Sequence, residues 1–287
     1  MDNEVKTKKK YKRHFLLVVP VIMFAIMLFG SLLSMICLSV ADSYITDSAW
    51  YFVLEAYGTF TGVIIVLFFY LLLAERDILK TLWYKGQKGN TFKGRLIGLL
   101  IGFGMNLVCG IIAMLNKDIY LSFDGIDVIY LIYALFFVTI QSSCEEALCR
   151  GYLHFALKER YGFWVGLIVN SGIFAALHLG NPGMGIIPIL EIRAIGVFLT
   201  LITEYQQSFW MACMIHTGWN FMQNFILGLP NSGLVSERAI MRLERAKDSL
   251  LYSTAFGIEG GLPSVVVSVI GIIVVVLIHL RKKNNNG

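Results

Sequence analysis

Long apolar segments recur along the whole chain, separated by short stretches that contain charged, glycine or proline residues. The first runs from Phe15 to Val40, 26 residues without a charged side chain. A helix needs roughly 20 apolar residues to cross about 30 Å of hydrocarbon, so this segment can span a bilayer. The pattern predicts an all-α integral membrane protein with eight transmembrane helices, near residues 15–40, 51–74, 96–115, 128–157, 163–178, 186–203, 208–228 and 264–280.

Composition supports this fold class. The 287 residues are 57% hydrophobic and 15% charged, with a mean hydropathy of +0.70, which leaves too little polar surface for a soluble globule. The first apolar segment follows a basic start and lacks a convincing cleavage site, so we expect a retained helix. The five cysteines lie in or beside the predicted spans without a C-x-x-C pair, which argues against a disulfide framework. We therefore expect residues 1–287 to form a single polytopic membrane domain.

Basic residues are concentrated in the loops on one side of the predicted bundle. Loops rich in Lys and Arg stay on the cytoplasmic side, and an even number of spans puts both termini on that side. The segments concerned are 6–13, 76–95, 158–160 and 281–283. We therefore expect a multi-pass protein with both termini cytoplasmic. The net charge of +5 then reflects topology and contact with lipid headgroups, and no nucleic-acid partner is expected.

The longest stretch outside the predicted spans is residues 229–263, which this topology places on the non-cytoplasmic side. It contains the sequence SERAIMRLERAKDSLL. The apolar spacing in this sequence predicts an amphipathic helix at the membrane surface.

The fourth predicted span contains three charged residues, Glu145, Glu146 and Arg150. A charge at the middle of a membrane helix costs about 2.5–3.5 kcal/mol on insertion scales, so such residues indicate function by default. Residues four apart share a helix face, so Glu146 and Arg150 can pair while Glu145 projects elsewhere as a lone carboxylate. The alternative is a single buried ion cluster that only fixes helix packing.

Two later spans contribute further polar residues: His178 on the fifth, and His216 and Asn220 on one face of the seventh. Taken singly, each could be a hydrogen bond between helices. A rise of about 1.5 Å per residue, counted from the cytoplasmic ends, puts Glu145, His178 and His216 at one depth near the bilayer centre. This coincidence predicts a shared polar intramembrane cavity.

A carboxylate, two imidazoles and a carboxamide are sufficient for hydrolysis of an amide bond if water can enter. The carboxylate can take a proton from water, and imidazole and carboxamide can donate hydrogen bonds to the oxyanion. Glu145, His178 and His216 are also ligand types that zinc accepts. A divalent metal such as zinc and a metal-free mechanism are therefore both open at this point.

Three motifs resemble those of the CPBP family, the CAAX prenyl protease and bacteriocin-processing intramembrane proteases. They are E-E-x-x-x-R at 145–150, F-x-x-x-H at 174–178 and H-x-x-x-N at 216–220. The resemblance covers a catalytic core from about 125 to 228. One position departs from the family pattern, because Cys149 stands where an aromatic residue often precedes the arginine. We expect this thiol to fill space, since a catalytic thiol needs access and a lowered pKa.

The resemblance implies an endopeptidase that cleaves a hydrophobic or lipidated peptide within or beside the lipid bilayer. It implies that Glu145 and His178 activate water and that His216 and Asn220 stabilise the oxyanion. It also implies that Glu146 and Arg150 brace the site.

Two other functions remain compatible with these residues. A transporter coupled to protons or another cation could use Glu145, His178 and His216, although the sequence has no inverted internal repeat. A non-catalytic protein for bacteriocin immunity or scaffolding could keep the fold without using Glu145.

Two residues outside the motifs also have expected positions. Glu191, near a span end, is expected to snorkel to the surface, and Trp219 is expected to pack or to line the cavity.

Overall fold

The structure is a computed structural model that describes residues 16–82 and 86–285. The described chain is mostly helical. Its helices are α1 (Val18–Ala41), α2 (Ser48–Ala74), α3 (Arg76–Leu82), α4 (Phe92–Leu115), α5 (Val128–Tyr161), α6 (Phe163–Leu177), α7 (Ile186–Tyr205), α8 (Phe209–Phe221) and α9 (Leu262–Asn285). Turns of π-helix lie within α2 at Leu54–Gly58 and within α5 at Ala147–Leu153, and another continues α8 at Met222–Ile226.

Helices occupy all eight segments predicted from the apolar pattern. In residues 16–82 and 86–285, six of them are long and apolar enough to cross a membrane, namely α1, α2, α4, α5, α7 and α9. Helix α6 has 15 residues and α8 has 13 before its π-helical turn, so the count of eight spans stays a prediction. The chain is a multi-pass integral membrane protein. The placement of both termini in the cytoplasm also stays a prediction, and the basic segment 6–13 lies outside the described residues.

Large apolar side chains cover the outer faces of the long helices. Val21 and Phe29 on α1, Leu73 on α2, Ile129 on α5 and Ile273 on α9 are all exposed. A monomer in water rarely exposes contiguous apolar surface of this kind, whereas lipid chains can cover it. The charged residues of the fourth predicted span face inward instead, since Glu146 and Arg150 are fully buried.

Local sequence signals explain where four of the helices begin. The side chains of Asp47, Thr91, Asp127 and Ser208 accept hydrogen bonds from backbone N–H groups in the first turns of α2, α4, α5 and α8. Short oxygen-bearing side chains are preferred at this position because they satisfy donors that have no partner within the helix. The boundary between α5 and α6 is Gly162, whose φ of 90° favours glycine.

Helices α4 and α8 approach so closely that only glycine fits at the contact. A Cβ atom at Gly102 would lie 2.1 Å from the carbonyl oxygen of Ile215, and one at Gly98 would lie 2.6 Å from that of Met211. On the opposite helix, a Cβ at Gly218 would lie 2.4 Å from the carbonyl oxygen of Leu99. Small residues spaced four apart allow membrane helices to pack backbone against backbone. This contact fixes the position of α8, which carries His216 and Asn220.

We expect Gly102→Ala to lower the unfolding temperature, because its Cβ would collide with the backbone of α8 next to His216. Forced overpacking typically costs about 1–3 kcal/mol. The matched control is Gly104→Ala on the same helix, whose Cβ would meet nothing within 4 Å. Thermal unfolding of the three proteins in one detergent is the measurement. Equal midpoints for both variants would show that the α4–α8 contact can relax.

A small antiparallel sheet forms between β1 (Ile119–Phe123) and β2 (Met241–Ala246), with Ile119 opposite Ala246 and Phe123 opposite Met241. The amphipathic surface helix predicted over this part of 229–263 is therefore wrong. At the start of β2, apolar and charged residues alternate with the two-residue period of a strand, although the longer segment also fits the spacing of an amphipathic helix. Backbone pairing with β1 favours the strand over the helix. The partner strand lies about 120 residues earlier in the chain, so no local signal announces it.

Residues 229–261, which we call the cap, cover one end of the helix bundle. Asn181, in the turn between α6 and α7, donates a hydrogen bond to the carbonyl oxygen of Ser232 over 3.0 Å. At the start of β1, Asp118 accepts hydrogen bonds from Asn116 and from Ser249 in the cap. Burial raises the pKa of Asp118, but these hydrogen bonds and nearby Lys247 outweigh it and hold the pKa below its usual value. The cap is thus attached to two separate loops.

Candidate active site

Helix α5 carries its charged residues at the point where α-helical geometry changes to π-helical. Glu146 ends the α-helical part, and Arg150 lies in the turn Ala147–Leu153. Arg150 Nη1 donates to Glu146 Oε1 over 2.9 Å, and both side chains are fully buried. The pairing predicted from the four-residue spacing is therefore present. Such π-helical turns occur frequently at functional sites.

His216 on α8 contacts this ion pair and faces the neighbouring carboxylate. Its Nδ1 lies 3.0 Å from Glu146 Oε1, and we assign this nitrogen as the donor to the carboxylate. Its Nε2 lies 3.8 Å from Glu145 Oε2, which is too long for a direct hydrogen bond. His216 therefore contacts the paired carboxylate directly and faces the second one. The sequence predicted that His216 lies in the same cavity as Glu145 but not its contact with Glu146.

Glu145 is held by a residue that the sequence patterns did not single out, Gln141. Gln141 Nε2 donates to Glu145 Oε1 over 2.7 Å. The amide oxygen of Gln141 accepts a hydrogen bond from Asn220 Nδ2 over 3.1 Å and another from Ser142 Oγ. Gln141 thus connects the carboxylate of α5 to the carboxamide of α8. The sequence feature that could have identified Gln141 is its position four residues before Glu145, which places both side chains on the same helix face.

His178 lies just past the last residue of α6, where its ring is fixed by its own helix. Its Nδ1 lies 2.8 Å from the carbonyl oxygen of Phe174. A carbonyl can only accept, so Nδ1 carries a proton, and in the tautomer with this single proton Nε2 is an acceptor. This assignment follows from the hydrogen-bond partner.

The ring of Phe174 occupies the centre of the charged cluster. The guanidinium of Arg150 lies over this ring, 4.1 Å from its centroid. The rings of His178 and His216 meet it edge to face, with centroid distances of 5.0 and 6.0 Å. A cation over an aromatic face is attracted by the ring quadrupole, so Phe174 stabilises the arginine while separating the two histidines. This explains the phenylalanine of the F-x-x-x-H motif.

One cavity of about 230 Å³ is lined by all four predicted catalytic residues, Glu145, His178, His216 and Asn220. Gln141 connects Glu145 to Asn220 by hydrogen bonds, whereas His216 bonds to Glu146 and faces Glu145 across 3.8 Å. In the described part of the chain, no hydrogen bond joins His178 to the other three. His178 is brought to them by the ring of Phe174 and by the shared cavity.

Eight lining residues come from outside the predicted core of 125–228, and four of these belong to the cap, namely Asn231, Ser232, Leu234 and Glu259. Trp219 also lines the cavity, and its indole N–H donates to Glu259 over 2.9 Å.

Glu191 was expected to snorkel to the surface, and this is wrong, because its side chain is 1% exposed and lines the cavity. Helix α7 turns that face inward when it packs against α9.

The predicted site residues do not assemble into a metal centre. Within residues 16–82 and 86–285, no three His, Cys, Asp or Glu side chains form a group that could hold a metal ion together. Glu145, His178 and His216 therefore do not fit a common metal in this arrangement. Cys149 is fully buried against the same cavity.

Residues 127–222 match the model of a protein family described as type II CAAX prenyl endopeptidase Rce1-like. Comparisons with curated proteins and with solved structures give no match. The matched segment contains all three motifs on α5, α6 and α8, whereas the cap lies outside it. The match covers about a third of the chain and supports an assignment to the CPBP/CAAX protease family.

Proposed function

We propose that this protein hydrolyses a peptide bond of a hydrophobic or lipidated peptide within the membrane, in a cavity that water enters. The observation that carries the proposal is the cavity of about 230 Å³ that Glu145, His178, His216 and Asn220 all line. The family assignment supports an endopeptidase in general. The role of each side chain is inferred from its contacts.

Glu145 activates the water that attacks the peptide bond. Gln141 fixes Oε1, while Oε2 is buried and accepts no hydrogen bond in the described part of the chain. That free oxygen can take a proton from water and later return it to the leaving amine. His178 assists by accepting a hydrogen bond from the same water at Nε2, since its Nδ1 is already committed to the backbone.

Asn220 and His216 stabilise the negative oxygen that forms when water adds to the carbonyl group. The carboxamide of Asn220 has two N–H groups, and one of them is used by Gln141. The second can donate to the oxyanion. His216 donates from Nε2 once its ring is protonated, since Glu146 holds Nδ1. Donors placed in advance around a developing charge are worth about 10²–10³ in kcat each.

Glu146 and Arg150 position these groups without touching the substrate. Arg150 fixes the Glu146 carboxylate, which in turn orients the His216 ring. Partners that orient a working side chain are needed to hold it within the productive geometry.

The substrate is a membrane-associated peptide with apolar side chains. Much of the cavity wall is apolar, contributed by Met27, Phe60, Leu148 and Ile195 among others. Apolar walls with a few convergent polar groups are typical of sites that bind hydrophobic ligands. A lipidated chain terminus and an apolar bacteriocin precursor both have this chemistry.

The experiment is cleavage of candidate peptides by the purified protein in liposomes, followed by mass spectrometry of the products. Hydrolysis predicts two fragments whose masses sum to the peptide plus one water. A cation-coupled transporter would instead move charge across the same liposomes and leave the peptides intact. The outcome separates the two functions.

We expect cleavage to persist after the protein is dialysed against a strong chelator, because the proposed mechanism assigns water activation to Glu145. The measurement is the cleavage rate alongside the metal content of the same sample. Loss of activity on chelation and its recovery with added zinc would show that these side chains rearrange around a metal.

A further inference from the structure

A second pair of carboxylates lines the cavity apart from Glu145 and Glu146. Glu191 comes from α7, and Glu259 comes from the cap. Neither belongs to the three motifs, and Glu259 lies outside the segment that matches the family. The 3₁₀ turn Ile258–Gly260, which carries Glu259, packs directly against α7, which carries Glu191. We call Glu191 and Glu259 the acidic pair.

Glu259 is held rigidly at the cavity wall. Its Oε1 accepts a hydrogen bond from the indole N–H of Trp219 over 2.9 Å. Its Oε2 accepts from the backbone N–H of Ser232 over 2.8 Å and from the Ser232 hydroxyl over 2.7 Å. All of these partners are neutral. They orient the carboxylate without neutralising its charge.

The carboxylate of Glu191 has fewer hydrogen-bond partners than that of Glu259. Its side chain is 1% exposed, and its hydrogen bond from Ser268 Oγ to Oε1 is long, at 3.4 Å. In residues 16–82 and 86–285, its Oε2 accepts no hydrogen bond, and no Lys, Arg or His forms an ion pair with either member of the acidic pair. Buried carboxylates are normally paired with a cation, because leaving a buried charge uncompensated is costly.

We propose that the acidic pair binds the cationic side chain of a lysine or arginine in the peptide substrate, close to the bond that is cleaved. This inference rests on the proposed peptidase function. A side chain with several N–H donors can reach both carboxylates at once and can supply the charge that the cavity wall lacks. A metal ion is less suited, since in the described ranges no third ligating side chain joins the pair.

Contacts between α8 and the cap place this subsite beside the proposed oxyanion site. Trp219, which binds Glu259, directly precedes Asn220 in the chain. Asn231 Nδ2 donates to the carbonyl oxygen of Asn220 over 3.3 Å, and the next residue, Ser232, holds Glu259. A peptide whose carbonyl oxygen lies at Asn220 therefore has the acidic pair within reach of a neighbouring side chain.

The test uses peptides of one apolar sequence that carry lysine, uncharged norleucine or glutamate at successive positions around the cleaved bond. At one position, we expect the wild-type protein to cleave the lysine peptide at least about tenfold faster in kcat/KM than the norleucine peptide. Hydrogen bonds to charged groups have about this effect. We expect the glutamate peptide to be the poorest substrate. Equal rates for lysine and norleucine at every position would overturn the proposal, without any variant.

Substitutions in the acidic pair test whether these two residues cause the preference for the lysine peptide. Glu191→Gln and Glu259→Gln are expected to lower the ratio of lysine to norleucine cleavage toward one, whereas Glu244→Gln, on the exposed face of β2, keeps the wild-type ratio. A ratio that survives in the double variant Glu191→Gln/Glu259→Gln would place the selectivity elsewhere and contradict the assignment.

A binding measurement separates this proposal from the proposed function. Protein carrying Glu145→Gln is titrated with fluorescent lysine and norleucine peptides in detergent. Tighter binding of the lysine peptide supports the acidic pair even if no cleavage is ever observed. Equal affinities would refute the acidic pair while leaving the peptidase intact.

Discussion

Glu145→Gln is expected to remove peptide cleavage almost completely while leaving the protein folded. Glutamine matches the shape of glutamate and can still accept the hydrogen bond from Gln141 through its amide oxygen. It cannot take a proton from water. A positioned general base contributes roughly 10²–10⁴ to the rate, so kcat should fall by this factor. The measurement is single-turnover cleavage of one peptide in liposomes, with the unfolding temperature recorded for both proteins.

The matched control for this substitution is Glu159→Gln, an exposed glutamate near the end of the same helix α5. It changes the same charge by the same chemistry but lies away from the cavity, so its rate should equal that of the wild type. Full activity in Glu145→Gln would remove this residue from the mechanism. If the Glu145→Gln protein keeps its biological effect although cleavage is lost, that effect depends on the fold alone, as in the non-catalytic alternative.

Arg150→Met is expected to destabilise the protein strongly, more than Gly102→Ala does. The Arg150 side chain is fully buried, pairs with Glu146 and lies over the ring of Phe174. Methionine keeps some of the volume but leaves the Glu146 carboxylate without its main cation. Breaking a buried ion pair on one side costs about 3–5 kcal/mol. Chemical unfolding in detergent measures the loss.

Two further variants separate charge from packing at this pair. Glu146→Gln/Arg150→Met removes both charges, so we expect it to recover part of the lost stability. Cleavage should stay low, because nothing then orients the His216 ring. Arg245→Met, at an exposed position of β2, is the control and should unfold like the wild type. An Arg150→Met protein as stable as the wild type would show that the ion pair contributes little to the fold.

The sequence was sufficient to predict the helices and the residues that converge. Eight apolar segments marked eight helices, and helical spacing alone predicted the pair formed by Glu146 and Arg150. The estimate of depth grouped Glu145, His178 and His216, and all three line one cavity in the structure. These inferences succeed because charge inside an apolar segment is costly and helix geometry is regular.

The remaining contacts depend on how the helices are rotated against one another. The contact between His216 and Glu146 requires α8 to lie beside α5, and spacing within α8 carries no information about that position, which the glycine contact with α4 helps to fix. Glu191 could not be assigned for the same reason, since its burial depends on the packing of α7 against its neighbours.

The cap was the part that sequence patterns described least well. The strand Met241–Ala246 pairs with Ile119–Phe123, a contact between distant segments that competes with a local helical pattern. Glu259 joins the cavity only because the cap folds back over it. Long-range pairing of this kind is determined by tertiary structure, which local propensity does not report.

An experimental structure of the Glu145→Gln protein with an uncleaved peptide bound in lipid would test the proposed mechanism most directly. We expect the carbonyl carbon of the scissile bond to lie about 3–3.5 Å from a water held at position 145. We expect the carbonyl oxygen to lie within about 3 Å of the side chains of Asn220 and His216. A peptide bound elsewhere, or a cavity from which water and peptide are both excluded, would refute hydrolysis in this cavity.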